Sequence, residues 1–161
     1  MALSDVRWRW AKFHELEPQR LYDILSLRQQ VFVVEQKCAY QDADGRDLHS
    51  WHLLGTDAHG SLLAYLRLIP PGYRFREPSL GRVVTRKDIR GQGVGKNLVR
   101  EGIRQSRVLF PGQPIRISAQ LYLEDYYCQL GFVPEGEGNP YDEDGIPHIQ
   151  MVYGQPGDRV V

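Results

Sequence analysis

The apolar positions at the start of the chain change their period twice. From Val6 to Phe13 aromatic and charged side chains alternate, the pattern of a strand with one covered face. Glu17 and Pro18 then open a segment in which Leu21, Ile24, Leu25, Arg28, Val31 and Phe32 recur at helical spacing, and proline is well placed in a first helical turn. This predicts an amphipathic helix with an arginine on or beside its buried stripe. The period is lost from Gln36 to Ser50, where Gln41-Asp42-Ala43-Asp44-Gly45-Arg46-Asp47 has the composition of a loop, read as a solvated turn.

Apolar runs then cover Trp51 to Thr56 and Ser61 to Ile69. The short Asp57-Ala58-His59-Gly60 connection between them suits an antiparallel hairpin. Pro70-Pro71-Gly72 stops the second strand, and Leu80 to Thr85 is another short β-rich run. After a polar, glycine-spaced stretch, Leu98, Val99, Ile103, Leu109 and Phe110 mark the apolar face of a second helix, ended by Pro111-Gly112. Ile115 to Ala119 reads as a strand, and Leu121 to Leu130 as a helix closed by Gly131. A last strand pair surrounds the Asp142-Glu143-Asp144-Gly145 turn. No repeat or linker interrupts the order, so the expectation is one mixed α/β (α+β) domain over residues 1–161.

Composition narrows the function. Lys plus Arg and Asp plus Glu number 20 each, so no net field draws the chain to nucleic acid or an anionic membrane. The N-terminal residues lack the apolar stretch of a secretory signal and no run has the length of a membrane span, which makes the cytoplasm the expected location. Cys38 and Cys128 are expected to be reduced, and they share no metal-ligand spacing with His14, His49, His52, His59 or His148. Asp42, Asp44 and Asp47 fail the calcium-loop pattern, so no metal is expected.

The informative segment is Leu80-Gly81-Arg82-Val83-Val84-Thr85 followed by Arg90-Gly91-Gln92-Gly93-Val94-Gly95-Lys96-Asn97, between a strand and a helix. Glycines there permit a tight turn that leaves consecutive N–H groups free at the positive end of a helix, an arrangement that binds phosphate oxygens. Dinucleotide folds use similar glycines, but after the first strand of a βαβ unit, and these lie past mid-chain. A Walker loop needs Ser or Thr where Asn97 stands.

Arg90, Gly93 and Gly95 match Arg/Gln-x-x-Gly-x-Gly/Ala, the central signature of the GNAT N-acetyltransferases, and Tyr127 through Gly131-Phe132 resembles that family's Tyr-x-x-x-Gly-Phe helix end. Leu27-Arg28, Val31 to Gln36, Tyr40-Gln41-Asp42, Asp44-Gly45 and Glu143 to Ile149 resemble its ElaA-like subgroup, so the likeness spans nearly the whole chain. It implies a mostly antiparallel twisted sheet of about six to seven strands flanked by helices. Acyl-CoA, acetyl-CoA above all, would bind where the fourth and fifth strands splay apart. The pyrophosphate would then lie on the amides of the Arg90 loop, from Gly91 through Gln92, Gly93, Val94 and Gly95 to Lys96. The pantetheine arm would run along Val83, Val84 and Thr85, an N–H of that strand meeting the thioester oxygen.

The same resemblance makes Tyr127 the general acid towards the departing CoA thiolate, the alternative being an aromatic ring that only packs. Glu35, after the apolar Val31–Val34 stretch, is a candidate base if burial raises its pKa, and a solvated acid otherwise. His148 is a candidate base or orienting residue, His52 another titratable group, and a water chain an alternative to all of them. Arg28, Asp42 and Arg82 are candidates for substrate binding. Arg28, Arg67 and Arg82 sit in apolar patterns and need carboxylate partners if buried, Asp42 or Glu35 being available. The acceptor, a small-molecule or peptide amine, and a homodimer are left open. Two other readings stand beside acyl transfer to an amine: a non-catalytic acyl-CoA sensor, and a relative of acyl-homoserine-lactone synthases, suggested by Arg28 with Val31-Phe32-Val33.

Overall fold

The computed structural model describes residues 5–154. Strands β1 (Arg7–Lys12), β2 (Trp51–Thr56), β3 (Leu62–Ile69) and β4 (Ser79–Thr85) form an antiparallel sheet in the order β1-β2-β3-β4. Strands β5 (Ile115–Gln120), β6 (Val133–Pro134), β7 (Tyr141–Glu143) and β8 (Ile146–Tyr153) form a second antiparallel sheet. In it β8 pairs with β5 along one edge and with β6 and β7 along the other. The mostly antiparallel mixed fold is as expected, with eight strands among the described residues against about six to seven, because the two-residue β6 is too short to leave a periodic signal.

Helix α1 (Pro18–Arg28) covers one face of the first sheet, placing Ile24 against Leu54, Leu62, Tyr65 and Val84. Helix α2 (Val94–Leu109) covers the other with Val94, Leu98, Val99 and Ile103. Every residue of β3 is therefore buried, as a strand between two helical layers must be. Gly102 lets α2 approach closely, because a Cβ there would stand 3.0 Å from Leu66 and 3.1 Å from Leu80. The core continues through Ile115, Ile117, Ile149 and Met151 into the second sheet, and α3 (Glu124–Gln129) closes it with Tyr127.

Three sequence expectations change. The first helix does not run evenly to Phe32: beyond Arg28 it widens into a π-helical turn over Gln29–Glu35. The expected Leu121–Leu130 helix is a 3₁₀ turn, Leu121–Leu123, followed by the short α3. The Gln36–Ser50 loop is not a solvated turn, and it carries a 3₁₀ turn at Arg46–His49.

That loop is anchored by an interior charge network. Arg28 and Arg67 have no exposed surface. Arg28 binds Asp42 through Nε at 2.7 Å and Asp47 through Nη1 at 2.8 Å. Arg67 binds Asp44 at 2.6 Å and the same Asp47 oxygen at 2.9 Å. Arg82 reaches the second Asp42 oxygen at 2.8 Å, which also accepts the Tyr40 hydroxyl at 2.8 Å. Three cations face three anions, so charges that would be prohibitive singly are balanced inside the protein. His52 adds a neutral brace: its Nε2–H donates to the Asp47 carbonyl at 2.9 Å, which leaves Nδ1 to accept the Tyr65 hydroxyl at 2.7 Å.

Burial alone would raise the Asp44 and Asp47 carboxyls, but the hydrogen bonds and charges of Arg67 and Arg28 outweigh it and hold both below the usual range. Burial pushes His52 downward. Asp47→Ala would leave two buried guanidinium groups short of a counter-charge and is expected to cost about 3–5 kcal/mol of stability, measured from urea unfolding. A loss below about 1 kcal/mol would contradict the closed network. All three shifts make the unfolded chain the better proton acceptor, so stability is expected to fall with falling pH. The first loss begins below about pH 6.5, as unfolded His52 protonates, and the second below about pH 4, as the unfolded aspartates do. Urea midpoints measured across that range test both stages, and a midpoint that rises on acidification would contradict them.

Candidate acyl-donor cleft

The two sheets meet at one end only. The Arg116 N–H donates to the Pro78 carbonyl at 3.0 Å where β4 and β5 begin, and no β4–β5 ladder continues from there among the described residues. The edge of β4 that faces β5 therefore has no strand partner along Val83, Val84 and Thr85, the Thr85 carbonyl accepting instead from the Arg90 side chain at 3.3 Å.

Along its other edge β4 is bulged. Tyr65 pairs with Val84 and Arg67 with Gly81, so Arg82 and Val83 together oppose the single residue Leu66. Arg82 takes a left-handed backbone, φ 49°, unusual for a side-chain-bearing residue. Its guanidinium is held by Asp42, by the Asp42 carbonyl at 3.1 Å and over the Tyr40 ring at 5.5 Å. The buried network thus fixes one of the strands whose exposed edges line the cleft.

After β4 the chain turns through Lys87–Ile89, with Ile89 buried, into Arg90-Gly91-Gln92-Gly93. Gly91 and Gly93 have φ of 78° and 87°, and nothing lies within 4 Å of a Cβ built on either. Their conformation therefore requires glycine while the space beside them is open. Gly93 precedes α2 without any side-chain cap, which leaves the first-turn N–H groups directed at that space. Gly95 is needed for a different reason: a Cβ there would meet the Tyr126 hydroxyl at 2.9 Å, and Thr85 is at 3.8 Å. These residues, brought together as the spacing suggested, fit an anionic phosphate chain followed by a flexible arm along β4.

Tyr127 stands across the cleft on α3, its ring buried and packed edge-on against Tyr126 and Phe132. Its hydroxyl makes no hydrogen bond within the described residues and is not among the unpaired side-chain atoms sealed from solvent. Burial pushes its pKa upward, so the phenol keeps its proton at neutral pH. His148 lies on the polar face of the second sheet, opposite Gln120 at the splayed end of β5. Its Nδ1–H donates to the Ile146 carbonyl at 2.7 Å, and Nε2 faces Glu143 at 3.3 Å. Glu143 also accepts from Ser118 at 3.0 Å and from Arg74 at 2.8 Å.

The remaining site expectations need correction. Arg28 and Asp42 do not face an acceptor groove: both are interior members of the network, their polar atoms occupied by each other and by neighbours. Arg82 is mostly covered and serves the bulge. Glu35 is exposed, not buried behind Val31–Val34, because the π turn rotates it outward, and it forms an ion pair with Arg90 at 2.9 Å. His52 is a core brace. Sequence reasoning missed Gln36, Gln120, Arg74 and Ser118, single polar residues whose meeting depends on long-range topology alone. A groove of about 720 Å³ between α1 and the β2–β3 turn contains none of the cleft residues.

The sequence matches the family described as an acetyltransferase (GNAT) domain over residues 25–154. It is 44% identical over 152 residues to a UPF0039 protein of Synechocystis, covering 94% of this chain and 97% of that one. It is also similar to a crystal structure of an acyl-CoA N-acyltransferase from Pseudomonas aeruginosa, with TM-score 0.85, 40% identity and coverage of 92% and 99%. The Escherichia coli ElaA crystal structure compares at TM-score 0.84 and 36% identity, with coverage of 92% and 99%.

Gly93→Ala separates backbone strain from crowding. With open space at the position, the whole penalty comes from the left-handed φ, and a loss of about 1 kcal/mol is expected from chemical unfolding, with α2 intact by circular dichroism. An unchanged or raised stability would contradict the conformation described.

Proposed function

Because this chain belongs to the GNAT acetyltransferase family, we propose that it is an N-acyltransferase that takes an acetyl group from acetyl-CoA and delivers it to a primary amine of a small molecule or peptide in one ternary complex. The observation that carries this reading is the juxtaposition of an uncapped, glycine-led helix start with the unpaired, bulged edge of β4.

In this reading the N–H groups from Gly91 to Lys96 hold the diphosphate, assisted by the α2 dipole. Main-chain groups of Val83, Val84 and Thr85 pair with the amides of the pantetheine arm. The bulge turns a β4 N–H towards the thioester oxygen, where negative charge develops as nitrogen attacks. The network beneath Arg82 keeps that donor in place without rearrangement during the reaction.

The proton inventory fits two residues. A primary amine arrives as an ammonium and must lose a proton before it attacks. In this reading His148, its Nδ1–H engaged by the Ile146 carbonyl, takes that proton on Nε2, and Glu143 stabilises the imidazolium that results. A C–N bond then forms, the C–S bond breaks, and Tyr127 gives its proton to the thiolate. Glu35, tied to Arg90, is the weaker choice of base.

Titration calorimetry with CoA and acetyl-CoA is expected to show micromolar binding to wild type and its loss in Gly93→Asp, whose carboxylate repels the diphosphate. No binding to wild type overturns the proposal. In an amine screen read by thiol release, Tyr127→Phe is expected to lower kcat on the order of 10²-fold with CoA affinity retained. An unchanged kcat would remove Tyr127 from the chemistry.

A further inference from the structure

Two consecutive residues at the end of the π turn touch opposite lips of the cleft. Glu35 pairs with Arg90, which also donates to the Thr85 carbonyl at 3.3 Å and so belongs to the β4 lip. Gln36 exchanges side-chain hydrogen bonds with Gln120, at 3.1 and 3.4 Å, on the β5 lip. Two residues further on, the Cys38 thiol meets the Asp144 carbonyl at 3.2 Å in the β7–β8 turn. The backbone of this strap is secured by bonds from the Gln36 N–H to Val31 and from the Cys38 N–H to Val33, both 3.1 Å, and Lys37 has a left-handed φ of 51°. A π turn is a costly way to end a helix, and such segments recur at functional positions.

We propose that residues 35–38 form a latch across the cleft, closed by the Glu35–Arg90 ion pair and opened when the acyl-CoA diphosphate takes Arg90. The inference rests on the Arg90 loop being the diphosphate site. Glu35 places a carboxylate at the loop where two phosphates must come, so it competes with the ligand for the same guanidinium and repels it. Arrival of the donor frees Glu35, and the strap segment that runs on through Gln36 to Gln120, opposite His148, is loosened at one end. Glu35 is therefore a positioning residue: through Arg90 it couples occupancy of the donor loop to the wall on the acceptor side.

The affinity change separates this from a scaffold role. If the pair merely braced the loop, removing it would weaken CoA binding. If it is a latch, Glu35→Gln is expected to bind CoA about two- to five-fold more tightly than wild type, the scale of one exposed ion pair. Glu35 is exposed and the change keeps its shape, so the variant should fold. Hydrogen exchange at the Gln36, Lys37 and Cys38 amides provides the second readout. Saturating CoA should speed it several-fold in wild type, and free Glu35→Gln should already exchange at the faster rate. Equal or weaker CoA affinity in Glu35→Gln, or exchange unchanged by bound CoA, overturns the latch and leaves the acyltransferase reading standing. Failure of CoA to bind wild type overturns both.

Discussion

The fold and the cleft both depend on a zero-sum cluster of charge inside the protein. Asp47 receives Arg28 from the end of α1 and Arg67 from the middle of β3, while Asp42 receives Arg28 and Arg82 from β4. One polar loop thereby ties a helix and two strands together at side chains that an apolar core cannot replace without changing shape. A hydrophobic cluster of similar volume would hold the helix to the sheet equally well. It would not hold a left-handed arginine at a bulge, because only fixed acceptors on the far side of the guanidinium do that. The network is best understood as a device for geometry, with stability as a by-product.

That device explains why the cleft can remain open. An unpaired strand edge in the middle of a domain exposes main-chain donors and acceptors that another strand would normally satisfy. Here the join at Pro78 and Arg116 starts a sheet that the bulge and its arginine prevent from continuing. The edge of Val83 to Thr85, which lacks a strand partner, and the uncapped start of α2 are two incomplete hydrogen-bonding surfaces on one opening. A ligand carrying amides at one end and phosphates at the other satisfies both, which is why the family's cofactor suits this opening while a compact ligand would leave half of it unmet.

The sequence carried the elements and the donor loop because both are written locally. Hydrophobic period announced α2 and β3, and glycine spacing announced the Gly91–Gly93 turn, whose positive φ angles only glycine adopts easily. The resemblance to ElaA-like proteins was carried by short blocks and agrees with the relatives found. What local pattern failed to carry was the partner of each charge. Asp42, Asp44 and Asp47 look like a solvated turn because their spacing is that of a turn, and their burial is decided by arginines up to 40 positions away in the chain. Glu35 shows the converse error: four apolar residues before it suggested a covered carboxylate, but the wider π turn rotated it out to Arg90.

The same contrast bears on where proton transfer is best placed. A base for an ammonium must be reachable by the acceptor and must have somewhere to stabilise the positive charge it acquires. Glu35 is exposed, yet its charge is already committed to Arg90. In the proposed reaction His148 is that base, with one ring nitrogen fixed by a carbonyl and the other facing a carboxylate that is itself oriented by Ser118 and Arg74. In the same reading Tyr127 on α3 is the acid, a phenol whose burial keeps it protonated and whose hydroxyl makes no hydrogen bond among the described residues. The proposed acid on α3 and base on β8 both lie with the second sheet, while the donor loop follows β4 of the first, so donor and proton-transfer groups meet at one substrate only if the splay between the sheets is fixed. That returns the requirement to the bulge in β4 and to the buried arginines that hold it.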